Sequence, residues 1–356
     1  MKHLLVLAAC ALMGAHAPVA SAAPVADPLD RPAVMTRLAQ HATLLGSAQA
    51  GGRLVAVGER GIVVLSDDGG ASWRQARVPV SVTLTAVSFP DARHGFAVGH
   101  GGVVLSSDDG GESWTKRFDG VQGAGIVLRR AQARGDAASL REAQRLVADG
   151  ADKPLLDLHF FDARRGLVVG AYNLAFYTED GGRSWQSWMD RFDNAKSLHL
   201  YAVRVRADTI LIAGEQGLVL CSDDAGKSFR RIETPYHGSF FTAELPAGKG
   251  LLLAGMRGNV WRSSDAGATW VQIALSNDSS VTASSLRGGQ DVVLVNQAGM
   301  VFAGPAVGSD KEGSVWHPTP QPALPPLNGV LPLKTGLLVL SGQGATLLPA
   351  TRGNSK

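Results

Sequence analysis

Short apolar runs recur down this chain, each broken by a compact glycine-bearing turn and resumed by a second apolar run. The first is Val57-Gly58-Glu59-Arg60-Gly61-Ile62, and the next are Val98-Gly99-His100-Gly101-Gly102-Val103 and Val169-Gly170-Ala171-Tyr172-Asn173-Leu174. Ala213-Gly214-Glu215-Gln216-Gly217-Leu218 and Ala254-Gly255-Met256-Arg257-Gly258-Asn259 continue the series. Val295-Asn296-Gln297-Ala298-Gly299-Met300 and Leu340-Ser341-Gly342-Gln343-Gly344-Ala345 complete it. β-Branched runs bounded by turn residues predict strands, and apart from one insert no helical period persists. After each of the first five turns comes a polar phrase, Ser-x-Asp-x-Gly-x-Ser/Thr-Trp, with Thr178 for the leading serine and Phe229 for the aromatic in single copies. Its aspartates are Asp68, Asp109, Asp180, Asp224 and Asp265, at intervals of 41, 71, 44 and 41 residues.

The phrase has the chemistry of a tight turn between two strands. An aspartate can clamp nearby backbone N–H groups, and the central glycine supplies a positive φ without steric cost. The aromatic residue opens the next strand and can bury its ring. The phrase resembles the Asp-box, or bacterial neuraminidase repeat, so the five aspartates read as turn clamps. A period near 41 suits a four-stranded propeller blade. The fold expected is therefore all-β: a seven-bladed β-propeller with Asp-box turns, residues 23–356 forming one domain. The long interval adds a helical insert at about 119–154, between blades two and three. In blade six a degraded box is expected around Ser309 to Trp316. Blade seven ends near Pro349 without room for a fourth strand, and residues 33–39 are expected to supply it and close the ring.

Within the insert, 125–134 and 137–149 have helical composition, separated by Gly135-Asp136. Leu140, Ala143 and Val147 are expected to form its apolar stripe, with Arg141 and Arg145 on the polar side. The N-terminus has the pattern of a secretory signal over 1–22: Lys2, an apolar run, then Ala20-Ser21-Ala22. An exported, periplasmic location is expected. Leu7-Ala8-Ala9-Cys10 also fits a lipobox, so the alternative is a lipid anchor at Cys10. Cys221 would then be the one cysteine left, a small buried apolar residue with no disulfide partner.

The formal charge of +3 is modest, but arginines cluster at Arg129-Arg130, Arg164-Arg165, Arg230-Arg231 and Arg204 with Arg206. Such groups are either solvated turns or a basic face for an acidic partner segment. Nucleic acid is not expected as a partner, since there is no aromatic stacking motif or strongly basic stripe. The nine histidines lack metal-ligand spacing, and neither metal nor cofactor is expected.

Two longer phrases narrow the family. Phe89-Pro90-Asp91-Ala92-Arg93-His94-Gly95 leads through Val98-Gly99 into Asp109-Gly110-Gly111-Glu112-Ser113-Trp114. Phe160-Phe161-Asp162-Ala163-Arg164-Arg165-Gly166 leads through Val169-Gly170 into Asp180-Gly181-Gly182-Arg183-Ser184-Trp185. This arrangement resembles the photosystem II stability/assembly factor family and its relatives in non-photosynthetic bacteria, over roughly residues 40–345. The resemblance implies a seven-bladed propeller without enzymatic activity, and a monomer is expected. It implies binding to a membrane-protein complex or assembly intermediate, from the lumenal or periplasmic side, through an arginine-rich patch. For relatives outside photosynthesis, the implied client is another membrane complex, such as an envelope export system.

The alternative is an Asp-box glycosidase of sialidase type, or a propeller that binds glycans without cleaving them. A glycosidase needs two carboxylates facing one cleft, or a tyrosine nucleophile backed by glutamate. Glu59 and Glu215 fall in equivalent turns of blades one and four, too far apart for that chemistry. The partner candidates are the side chains of the glycine-bearing turns: Glu59, Arg60, His100, Tyr172, Glu215, Gln216, Met256 and Arg257. A second set, Thr85, Asp157, Tyr201 and Asn328, is expected near the mouth of a central channel.

Overall fold

The structure is a computed structural model describing residues 26–306 and 315–350. The signal segment, Cys10 and most of the expected sixth box lie outside the described residues. Among the described residues there are seven sheets. The first is built from β1 (Leu44–Ala50), β2 (Arg53–Gly58), β3 (Val63–Ser66) and β4 (Arg74–Gln75), each antiparallel to the next. The other sheets begin with Leu84–Ser88, Leu155–Phe160, Leu200–Arg206, Phe240–Glu244, Val281–Arg287 and Leu327–Leu333. These inner strands lie side by side in chain order, and the last lies against β1, so the sheets close a propeller ring.

Second strands such as β2 are apolar on both sides because each sheet is covered on both faces. Successive side chains point to opposite faces. Val55 and Val57 therefore join the core shared with the second sheet, while Leu54 and Ala56 join the one shared with the seventh. Every neighbouring pair of sheets has such a core. The boxes close the third-to-fourth-strand turns. At the first, Ser66 Oγ donates to Asp68 Oδ1 (2.8 Å), as does Ser72 N (2.9 Å), and Ser72 Oγ donates to Oδ2 (2.6 Å). Gly70, at φ 98°, donates its N–H back to Ser66 Oγ. The same contacts recur around Asp109, Asp180, Asp224 and Asp265.

Two expectations are corrected. Residues 33–39 contain no strand: they lead into a short 3-10 turn, Ala39–His41, and the seventh sheet has three strands. The reason is that the segment bonds to the first sheet instead. Ala33 N donates to Val78 O (3.0 Å), Thr36 N to Gln75 Oε1 (2.9 Å), and Gln75 Nε2 to Val34 O (3.0 Å). The seam rests on side-by-side packing and on Asn328 Nδ2 donating to Leu44 O (3.1 Å). In the insert, α1 (Gly120–Arg134) and α2 (Ala137–Asp149) form the hairpin, N-capped by Asp119 and Asp136. Its buried stripe runs through Ala143 and Leu146, whereas Val147 is 44% exposed. Packing against the third sheet turns the helix slightly from the face drawn by sequence.

Trp316 sits where a box tryptophan belongs. Val315–Trp316 pairs parallel with Val271–Leu275 of the fifth sheet, as Ser113 bridges to Arg77 between the first two. Three residues on, Thr319 N donates to Val301 O, matching Ala76 N to Val63 O.

Candidate partner-binding surface

The ring has two unlike faces. One carries the boxes and the turns between first and second strands, tied together by bonds such as Gly110 N to Arg93 O and Gly181 N to Arg164 O (both 2.8 Å). The other carries the glycine-bearing turns, the sheet-to-sheet connections and the helical hairpin. This division separates the arginine pairs. Arg164 and Arg165 lie on the box face, and Arg165 is held by Asp162 of its own turn (2.8 Å). Arg230 and Arg231 sit at the rim beside Asp223 and Glu233. Arg129 and Arg130 lie on α1, on the opposite face. Arg130 and Arg134 share Asp190 (2.8 and 2.6 Å), whereas Arg129 is exposed and makes no ion pair among the described residues.

Arg60, Tyr172, Gln216 and Arg257 occupy equivalent turn tips at φ 53–55°. Glycine would adopt that conformation at less cost, and blade two has Gly101 there, beside exposed His100. All four tip side chains are exposed, and Arg60 and Arg257 make no ion pair among the described residues. Lys153 Nζ stands 5.3 Å from the Tyr172 ring centroid, and Tyr172 N donates to His199 Nδ1 (2.9 Å). The preceding carboxylates serve the backbone: Glu59 accepts from Thr43 N (3.0 Å) and Glu215 from His199 N (3.1 Å). Between the hairpin and the connection after the third sheet lies a cleft of about 590 Å³, with Arg145, Lys153, Tyr172, Asp190 and Asn194 on its walls.

The inner strands enclose a central cavity of about 520 Å³. Its charge is confined to three neighbouring sheets. Asp157 accepts from Arg204 Nη1 (2.6 Å) and Val203 N (2.9 Å). Arg204 Nε lies 3.7 Å from Glu244, which accepts from Ser284 Oγ (2.7 Å). Arg204 is enclosed by the ring yet open to water in the cavity. Burial opposes its charge, but Asp157 and Glu244 outweigh that and hold its pKa above the ordinary value. Burial pushes the Glu244 carboxyl up, against the pull of Arg204. Burial also lowers His159, on the same inner strand as Asp157, to about 4. Arg206, at the strand end, bonds Gly248 O through Nη2, while its Nε is buried without a partner among the described residues. Tyr201 lines the cavity against Phe241. Thr85 and Asn328 line it too and also hold the ring together, donating to Leu155 O (2.8 Å) and Leu44 O.

Sequence reasoning found Asp157 and Arg204 but missed Glu244, Ser284 and His159. The missing signal is register. Counted from the first inner-strand residue of each sheet, Ser88, Arg204, Glu244 and Ser285 occupy one equivalent position, which brings polar groups from neighbouring repeats to one level of the cavity, with Ser284 one residue before it; His159 holds the same position in the third sheet but is not part of the cavity lining. Cys221 is buried, with its thiol pushed up to about 11 by burial, unsuited to nucleophilic work. No cluster of metal-ligating side chains occurs among the described residues, and no described helix is long and apolar enough to cross a membrane.

The model of the photosynthesis system II assembly factor YCF48 family matches residues 50–129 and 137–298. The chain belongs to that family. The break in the match falls at the junction of α1 and α2. A curated relative, the photosystem II assembly lipoprotein Ycf48 of Synechococcus sp. (strain CC9902), is 29% identical over 77 residues, 22% of this chain and 23% of that protein. The chain thus matches under a quarter of that relative's length. A solved structure described as YCF48 bound to D1 peptide superposes with a TM-score of 0.63 at 16% identity, over 92% of this chain and 99% of that one. YCF48 from Cyanidioschyzon merolae gives 0.61 at 14% identity, over 86% and 95%. At such identities these two show the shared propeller fold.

Proposed function

We propose that this YCF48-family chain is a non-enzymatic assembly factor, an exported seven-bladed Asp-box propeller that holds a segment of a membrane-protein complex or its intermediate. Membership of an assembly-factor family and the peptide-bound relative support this reading. The observation that carries it is the hairpin face: Arg60, Arg129 and Arg257 stand exposed without ion pairs among the described residues, beside exposed Tyr172 and Met256. Cations that no carboxylate of the chain satisfies are available to an acidic partner and speed its encounter. On the box face, Arg165 already has Asp162. The glycosidase reading loses its acids, since Glu59 and Glu215 are spent on backbone N–H groups.

The test is co-purification of the membrane complex cross-linked to the full chain in its native host. Arg60→Glu, Arg129→Glu and Arg257→Glu together should lower recovery severalfold, and increasingly so with salt, without moving the melting temperature. Arg164→Glu with Arg165→Glu should leave recovery close to wild type. The reverse ranking would refute the assignment of the face, and turnover of a glycoside abolished by Glu59→Gln or Glu215→Gln would refute the non-enzymatic reading.

A further inference from the structure

Blade seven ends in a bare edge. In its outer strand, Gly344–Pro349, the alternation of the antiparallel ladder turns the N–H groups of Ala345 and Leu347 away from Gly336–Ser341. The bond from Ala350 N to Thr335 O fixes that alternation. Neither outward N–H has an acceptor among the described residues. The strand has no charged side chain to discourage pairing, and Leu347 is 39% exposed.

The chain's own candidate for the empty place is held elsewhere. Gly344 packs on the carbonyl of Gln40 as Gly61 packs on Val80 and Gly217 on Tyr236. By that correspondence, residues 34–36 are the counterparts of Arg74, Gln75 and Ala76, which complete the first sheet, but they bond to Gln75 and the segment after it. Ala76 N reaches the third strand at Val63 O, but Thr36 N turns to the Gln75 side chain instead of an outward carbonyl of Gly344–Pro349. Val34, Met35 and Leu38 are left 73%, 58% and 69% exposed. The corner is also basic: residues 31–50 and 327–350 contain Arg31, Arg37, His41 and Lys334 and no Asp or Glu. Arg37 makes no ion pair among the described residues.

We propose that this edge takes an extended, acid-bearing peptide as a fourth strand of blade seven supplied by another protein. The outward N–H and C=O groups fix an extended backbone, the exposed Val34, Met35, Leu38 and Leu347 side chains favour apolar residues in it, and the surrounding cations favour carboxylates. Two copies of this chain pairing edge to edge would bring like charges together, which disfavours a homodimer there. The inference rests on the function proposed above only in taking the partner to be a client segment.

The test pans a phage-displayed library of linear peptides against the full chain and measures the selected peptides by fluorescence anisotropy. They should be acidic with alternating apolar residues, and should protect the Ala345 and Leu347 amides from hydrogen exchange. Ala345→Pro removes an outward donor and spares the internal ladder. It should weaken binding about tenfold with the melting temperature retained, the order expected for losing a backbone bond and the strand geometry around it. Arg164→Glu with Arg165→Glu should leave the affinity unchanged. Selected peptides that bind Ala345→Pro as tightly, or a library yielding none, would overturn the edge site while leaving client capture by the hairpin face standing. Protection of both amides in the free chain, or a dimer abolished by Ala345→Pro, would overturn it in favour of the chain's own strand or a second copy.

Discussion

Replacing Asp180 by alanine tests whether the boxes are clamps. The carboxylate accepts four bonds: from Thr178 Oγ1 (2.9 Å), Arg183 N (3.0 Å), Ser184 N (2.9 Å) and Ser184 Oγ (2.6 Å). The hydroxyls can turn to other acceptors, and Thr178 Oγ1 still accepts from Gly182 N. The net loss is therefore dominated by two backbone N–H groups near the surface, about 1–3 kcal/mol in total after solvent competition. At the usual unfolding entropy per residue, a ring of this size should melt about 1.5–4.5 °C lower. Scanning calorimetry measures this, and the pH dependence makes it specific. Burial raises the Asp180 pKa, but the bonds from Ser184, Thr178 and Arg183 outweigh it and hold it below the ordinary 3.8. A carboxylate depressed in the folded state stabilises above its unfolded pKa, and that contribution fades as pH falls through the folded value. Asp68, Asp224 and Asp265, depressed first by the bond from the box hydroxyl, sit at about 2. Through these three, wild type should therefore lose stability between about pH 4 and 2, and the gap to Asp180→Ala should close as pH falls below the ordinary 3.8 and through the lowered Asp180 value. A gap that persists in acid, or none near neutrality, would refute the clamp.

Two further substitutions probe the interior. Arg204→Met leaves Asp157 and Glu244 unpaired in the cavity and should cost about 2–4 kcal/mol in urea unfolding, with part recovered on adding Glu244→Gln; no loss would show that water already screens the network. Leu146→Ala should cost about 1–2 kcal/mol and Val147→Ala under about 0.5, because the first packs against the core and the second is exposed; the opposite order in thermal melts would restore the stripe drawn from sequence.

The sheets were legible because each repeat carries its own punctuation. Gly58, Gly99 and their counterparts mark the turn, and a clamped aspartate marks the next one, so strand positions follow from local chemistry. Where the box is lost, at the sixth and seventh sheets, only Trp316 and the Gly299 and Gly344 turns remained as signals. The closing strand was not legible, since nothing local says whether Thr36 N will choose a strand carbonyl or the Gln75 side chain. The site divided in the same way. Exposed tips such as Arg60 and Arg257 follow from the turn motif, and the pairing of Arg165 with Asp162 is a neighbour effect visible at three residues' spacing. The Asp157–Arg204–Glu244 network joins three repeats through their register, which no single repeat reveals.

That network gives direction to an object that is otherwise nearly rotationally symmetric. Seven similar wedges offer a docking molecule seven azimuths of comparable shape, but the polarity of the bore changes around its circumference, with charge from the third to fifth wedges facing the uncharged lining of Gly46, Ser47 and Leu331. With the hairpin standing over the same sector, a client touching both the bore and that face has a single rotational setting, so the complex is indexed like a keyed shaft.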